Sequence, residues 1–117
     1  MIVAGTHQHP AGPDGLIVGL HPQEEPAATD VDRDVSLRHA RLWIDDGKLF
    51  IEDLESTNGT SILHSSSGGL SLVAPPRSVR NIVVTQPVEL HYGDIICLGS
   101  TTRYIVLPEV LPGVDLR

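Results

Sequence analysis

Apolar and polar residues alternate along this chain in short bursts, and none sustains the period of a helix of useful length. Leu16-Ile17-Val18-Gly19-Leu20 is a compact apolar run behind the turn signal Gly12-Pro13-Asp14-Gly15, the pattern of a buried strand. From His39 to Ile44 the period is two: Ala40, Leu42 and Ile44 face one way, and His39, Arg41 and Trp43 the other. Asp45-Asp46-Gly47-Lys48 reads as a hairpin turn, and Leu49-Phe50-Ile51-Glu52 as the returning strand with Leu49 and Ile51 inward. Asn58-Gly59 is a second tight turn, because both residues tolerate positive φ, and Thr60 to Leu63 continues as a strand. Further strands are predicted over Asn81 to Thr85, Val88 to His91, Ile95 to Leu98 and Arg103 to Leu107. His21 to Asp30 reads as a loop. His64 to Arg80, rich in Ser, Gly and Pro around Leu70-Ser71-Leu72-Val73, reads as a long surface excursion with room for one short strand.

Many short strands with turns about every ten residues predict an all-β fold, a two-sheet β-sandwich. Its core is expected to include Leu42, Ile44, Leu49, Ile51, Ile95 and Cys97. The expected organisation is an N-terminal segment with a first strand over 1–15, the sandwich over 16–107 and a C-terminal tail over 108–117.

Composition narrows the classes of function. The formal charge of −7 argues against bulk binding to nucleic acid or to anionic lipid. No apolar run approaches the roughly 18 residues that a membrane span needs, so direct membrane insertion is not expected. Met1 to Leu20 has no basic residue ahead of its apolar stretch and does not read as a secretory signal. The lone Cys97 cannot form an internal disulfide, and the expected setting is the reducing cytoplasm. Of the eight basic residues, Arg33, Arg38 and Arg41 lie around Ser36, where three Asp (30, 32, 34) offset them. An anion site is therefore expected in this neutral window of an acidic chain.

The candidate chemistry lies in two segments. Val35-Ser36-Leu37-Arg38-His39-Ala40 and Glu55-Ser56-Thr57-Asn58-Gly59-Thr60 set hydroxyls, guanidinium groups and an amide on loops between strands. Such groups suit a phosphorylated peptide: donors converge on the anion while the amide holds the peptide backbone. The same hydroxyls also satisfy loop backbone groups in ordinary turns. Asn58-Gly59-Thr60 spells a glycosylation sequon, to which a chain without an export signal is not exposed. Ser36 and His39 lack the Gly-x-Ser-x-Gly elbow of a nucleophile, so no catalytic residue is assigned. His7-Gln8-His9 offers two imidazoles without a third ligand of diagnostic spacing, so no metal or other cofactor is expected, and the segment reads as a frayed polar terminus.

Taken together, these segments resemble a forkhead-associated (FHA) domain, a two-sheet sandwich that binds phosphothreonine peptides through loops at one end. Val35 to Ala40 looks like the family's Ser-x-x-His loop, and Asp53 to Thr60 is similar to its Asp-Leu-x-Ser-x-Asn-Gly-Thr segment. His91-Tyr92-Gly93-Asp94-Ile95-Ile96-Cys97-Leu98-Gly99 looks like its late Gly-Asp strand. The resemblance implies that Ser36 donates to the phosphate, Thr57 lies beside the phosphothreonine and Asn58 bonds the peptide main chain. It also implies that Arg38 adds positive charge and that His39, with the Gly59 turn, braces the loops. The sequence departs from the family where a Gly-Arg pair is expected to supply the main phosphate ligand, since Gly19 is followed by Leu20. A Leu neither donates a hydrogen bond nor neutralises a dianion. The expected function is a non-catalytic protein-interaction module, within a larger signalling or membrane-associated protein, whose phosphothreonine recognition is weakened or lost. One alternative is a working phosphothreonine reader in which Arg38 compensates, with Arg33, Arg41 or a protonated His21 as lesser substitutes. Another, of a different class, is a small hydrolase or metal-dependent enzyme built on Ser36 and His39 or on the N-terminal histidines.

Overall fold

The computed structural model describes residues 1–79 and 86–108, and the strand expected over Asn81 to Thr85 and all but the first residue of the 108–117 tail lie outside them. The described strands are β1 (Ile2–Ala4), β2 (His7–His9), β3 (Leu16–Val18), β4 (Ala27–Ala28), β5 (Ala40–Asp45) and β6 (Lys48–Asp53). They continue with β7 (Thr60–Leu63), β8 (Leu70–Ala74), β9 (Val88–Leu90), β10 (Ile95–Leu98) and β11 (Thr102–Val106). A single 3-10 turn, Arg77–Val79, follows β8. One sheet has the order β2-β1-β11-β10-β7-β8 and the other β4-β3-β5-β6-β9. All pairings are antiparallel except β3 with β4.

Alternation puts Leu16, Val18, Leu42 and Ile51 on the inner face of one sheet, against Ile62, Ile96, Leu98, Tyr104 and Val106 of the other. The hairpin of β5 and β6 closes where expected, with Asp45 opposite Lys48 and positive φ at Asp46 and Gly47.

Several expectations are corrected. Ile96 and Leu98, not Ile95 and Cys97, face the core, and Cys97 is half-buried on the opposite side. Four consecutive apolar residues hide the phase of β10, because a strand shifted by one residue exchanges its faces. Pairing sets it: Ile96 lies opposite Ile62 and Tyr104, and Leu98 opposite Thr60 and Thr102. One outer row gives no polar contrast, since Val3, Ile105, Ile95, Leu63 and Leu70 pair in turn across β1, β11, β10, β7 and β8. Ile44 and Leu49 are half-buried at the hairpin rim, with Leu49 packed against the core from its edge.

The N-terminus is not frayed. His7 and His9 belong to β2, and both imidazoles turn to Asp30, at 3.3 Å and 2.8 Å, beside the buried Tyr104 whose hydroxyl donates to the same carboxylate at 2.7 Å. The loop read over His21 to Asp30 contains β4, two alanines too short to show a period.

The corrected phase of β10 predicts unequal sensitivity. Leu98→Ala should destabilise the domain by about 2–5 kcal/mol, and Cys97→Ala by less than about 1 kcal/mol. Urea unfolding of the two variants measures this, and equal losses would restore the other register.

Candidate functional site

The site begins with a carboxylate that has no access to water. Asp53, at the end of β6, is 2 % exposed. A buried charge is tolerated only when its lone pairs are filled by hydrogen bonds. Its Oδ2 accepts the Ser56 N–H at 2.8 Å, and its Oδ1 accepts the hydroxyls of Ser56 at 2.5 Å and Thr60 at 2.6 Å. The Ser56 Oγ in turn accepts the Gly59 N–H at 3.1 Å. The spacing Asp-Leu-x-Ser-x-Asn-Gly-Thr thus folds into one knot that presents Thr57 and Asn58 to solvent. Gly59 takes φ +87°, and a Cβ there would lie 2.8 Å from the Ala74 carbonyl oxygen, so only glycine fits.

His39 joins this knot to the preceding loop. Alternation predicts an outward His39 beside Arg41 and Trp43, but it is fully buried, because it precedes β5 and its ring turns beneath the loops. Its Nδ1 accepts the Ser36 N–H at 3.0 Å and its Nε2–H donates to the Gly59 carbonyl at 2.8 Å, which fixes a neutral tautomer. Burial pushes its pKa below the ordinary value, outweighing the Gly59 bond and the Asp53 and Asp34 charges, which act in the other direction.

The two loops meet directly. The Ser36 Oγ accepts the Thr57 N–H at 3.0 Å, and the Asn58 Nδ2 donates to the Asp34 carbonyl at 2.7 Å. Leu20 arrives beside them, its N–H donating to the Ser36 carbonyl at 3.1 Å, while the His21 N–H donates to that of Leu37 at 3.1 Å. A Cβ on Gly19 would fall 2.1 Å from the Leu37 oxygen, so this approach needs glycine. Leu20, Ser36, Thr57 and Asn58 therefore gather at one end of the sandwich. Leu37 stands 62 % exposed among them.

The FHA domain family model matches residues 17–99, which contain every one of these elements. The chain belongs to the FHA domain family. No curated protein matches the chain. Among solved structures, the FHA domain is similar to the FhaA FHA domain complexed with the intracellular domain of Rv3910, at 26 % identity over 85 % of this chain and 84 % of that one, TM-score 0.52. It is similar to a domain from work on phosphothreonine-dependent FHA interactions, at 27 % identity over 90 % and 85 % of the two chains, TM-score 0.55. It also resembles the FHA domain of an Arabidopsis thaliana hypothetical protein, at 28 % identity over 86 % and 72 %, TM-score 0.61.

The cations around this FHA domain's loops are unequally engaged. Arg38 forms an ion pair with Glu24 at 2.8 Å, and that bond holds the Glu24 carboxyl below its usual range. Arg41 reaches Glu52 at 3.8 Å and lies over the Trp43 ring at 4.7 Å. Arg33 is exposed between Asp32 and Asp34, whose carboxylates bind the Thr101 hydroxyl and the Ser100 N–H. Arg77 went unnoticed in the sequence. Its N–H donates to the Thr57 carbonyl at 2.8 Å and its guanidinium to that of Glu55. Among the described residues, no group of three or more His, Cys, Asp or Glu side chains could hold a metal.

The depressed pKa of His39 has a definite sign. The folded state holds fewer protons than the unfolded one, so the His39 contribution is complete above the ordinary value of 6.5 and is lost as pH falls from there toward the lower folded value. Unfolding free energy should fall on acidification below about pH 6.5, by at most about 1.4 kcal/mol per pH unit, and this slope should vanish in His39→Gln. Denaturant titrations of both proteins across this range check it.

Proposed function

We propose that this FHA domain is a non-catalytic protein-interaction module that docks a partner segment on the Ser36–Thr57–Asn58 end, with weakened dependence on phosphothreonine. The observation that carries the reading is Leu20 at the position where the family's Arg is expected. A phosphate carries about −1.5 to −2 charge, and hydrogen bonds to charged groups contribute about 1.5–3 kcal/mol each. At about 1.4 kcal/mol per decade, the absence of one such contact weakens phosphate binding by roughly one to two decades.

Docking is supported by preorganisation. The loops are tied to one another by Ser36, His39 and Asn58, so a partner need not order them. Two similar FHA domains are described in complex with a protein domain and in phosphothreonine-dependent interactions.

The reading in which Arg38 supplies the missing charge must overcome its ion pair with Glu24. A Ser36–His39 catalytic pair is disfavoured by the bonding: His39 Nδ1 is occupied by the Ser36 backbone N–H and Nε2 by Gly59, so neither nitrogen is available to take a proton from the hydroxyl. No helix among the described residues is long and apolar enough to cross a membrane, and a reducing cytoplasmic setting suits the free Cys97 thiol.

The test is binding of a phosphothreonine peptide library and its unphosphorylated twin. The wild-type domain should discriminate between them by less than about threefold, and Leu20→Arg should raise the discrimination by about tenfold or more. Strong phospho-dependent binding by the wild-type domain, abolished by Arg38→Ala, would favour the compensated reader instead.

A further inference from the structure

The segment after β8 folds back against the Asn58 turn. A Cβ on Gly59 would meet the Pro76 nitrogen at 2.9 Å as well as the Ala74 oxygen at 2.8 Å, so turn and segment share one close contact. Pro75 and Pro76 have restricted φ and hold the following residue in place. That residue is Arg77, bonded through its N–H to the Thr57 carbonyl and through its guanidinium to the Glu55 carbonyl. Glu55 adopts φ +58°, a conformation rare for a residue with a side chain, and its carbonyl is the one that meets the guanidinium.

A guanidinium has five N–H donors, and bonding to one carbonyl leaves most of them unused. Among the described residues, no carboxylate lies within ion-pair distance of Arg77. Arg38 and Arg41 are paired with Glu24 and Glu52, and Arg33 is flanked by two aspartates. Among the described residues Arg77 is thus an exposed cation at this end without a carboxylate partner, as is Arg103, whose guanidinium bonds the Thr102 and Ser100 carbonyls. It also occupies a different place from the Leu20–Ser36 corner: Ser36 holds the N–H of Thr57, while Arg77 holds its carbonyl.

We propose that Arg77 forms an anion subsite beside the Asn58 turn and reads an acidic side chain, Asp or Glu, of the docked partner segment. The inference rests on the docking reading above and adds ligand chemistry to it. A guanidinium that gives one N–H to the Glu55 carbonyl keeps donors enough to meet a carboxylate in two parallel hydrogen bonds. A phosphate dianion would call for further cations, and among the described residues no second cation bonds Thr57 or Glu55 beside Arg77.

The experiment exposes wild-type, Arg77→Ala, Arg77→Glu and Asn58→Ala domains to a degenerate unphosphorylated peptide library and to the same library with a fixed phosphothreonine. Amide spectra verify that each variant is folded. The wild-type domain should select Asp or Glu at one ligand position. Arg77→Ala should erase that selection and weaken the selected peptide about tenfold. Arg77→Glu should select Lys or Arg at the same position, a reversal that a merely structural role for Arg77 does not produce. Asn58→Ala should weaken all peptides alike. Binding that is lost in Asn58→Ala but shows the same selection in Arg77→Glu would overturn the subsite and leave the docking reading intact. Loss in Arg77→Ala of a preference for the phosphorylated library would assign the anion as phosphate and overturn the carboxylate. If no peptide binds, the docking reading fails and the subsite falls with it.

Discussion

The Asp53 carboxylate is the constraint on which the binding end depends. It is buried at the end of β6, where a charge without partners would be intolerable, and three donors from the next seven residues fill its lone pairs. Satisfying it forces the chain to turn at Ser56 and to return at Thr60, and Gly59 must then take a conformation open to glycine. The carbonyl of Gly59 becomes the acceptor for His39, and His39 in turn holds the Ser36 amide. One buried charge thereby fixes two loops that are separate in sequence, and the exposed Thr57 and Asn58 inherit their positions from it.

This arrangement separates rigidity from ligand chemistry. Asp53, Ser56 and His39, which hold the loops from beneath, are buried and bonded, whereas the side chains of Leu20, Leu37 and Arg38 make no bond to the knot. An FHA domain can therefore keep its loop architecture while a Leu stands where a guanidinium is expected. The ion pair of Arg38 with Glu24 and the position of Arg33 between two aspartates lower the positive field on that side of the loops.

What the sequence disclosed, and what it hid, follow from the range of the interactions. The β5–β6 hairpin and the Asn58-Gly59 turn are made within a few residues, so turn chemistry reveals them, whereas the buried Asp53 that organises the second turn shows only in the structure. The phase of β10 is not legible, because its apolar residues fill both faces and only pairing with β7 and β11 decides which face is inward. The burial of His39 is not legible from alternation, because it lies one residue before the start of β5, in a position governed by the loops. The two alanines of β4 and the short β2 owe their strand state to neighbours rather than to their own pattern. Arg77 lay in a segment that reads as a polar excursion, and nothing local signals that it returns to Thr57.

The central claim is that a neutral, buried His39 pins the two binding loops as one unit. Long-range proton–nitrogen correlation spectra of the imidazole, recorded as the pH is lowered from about 8 to about 5, test it most directly. The expected result is an Nε2–H tautomer that stays unprotonated below the ordinary histidine value, with the Ser36 and Gly59 amide signals unchanged over the same range. An imidazole that titrates near its ordinary value, or that carries its proton on Nδ1, would contradict it.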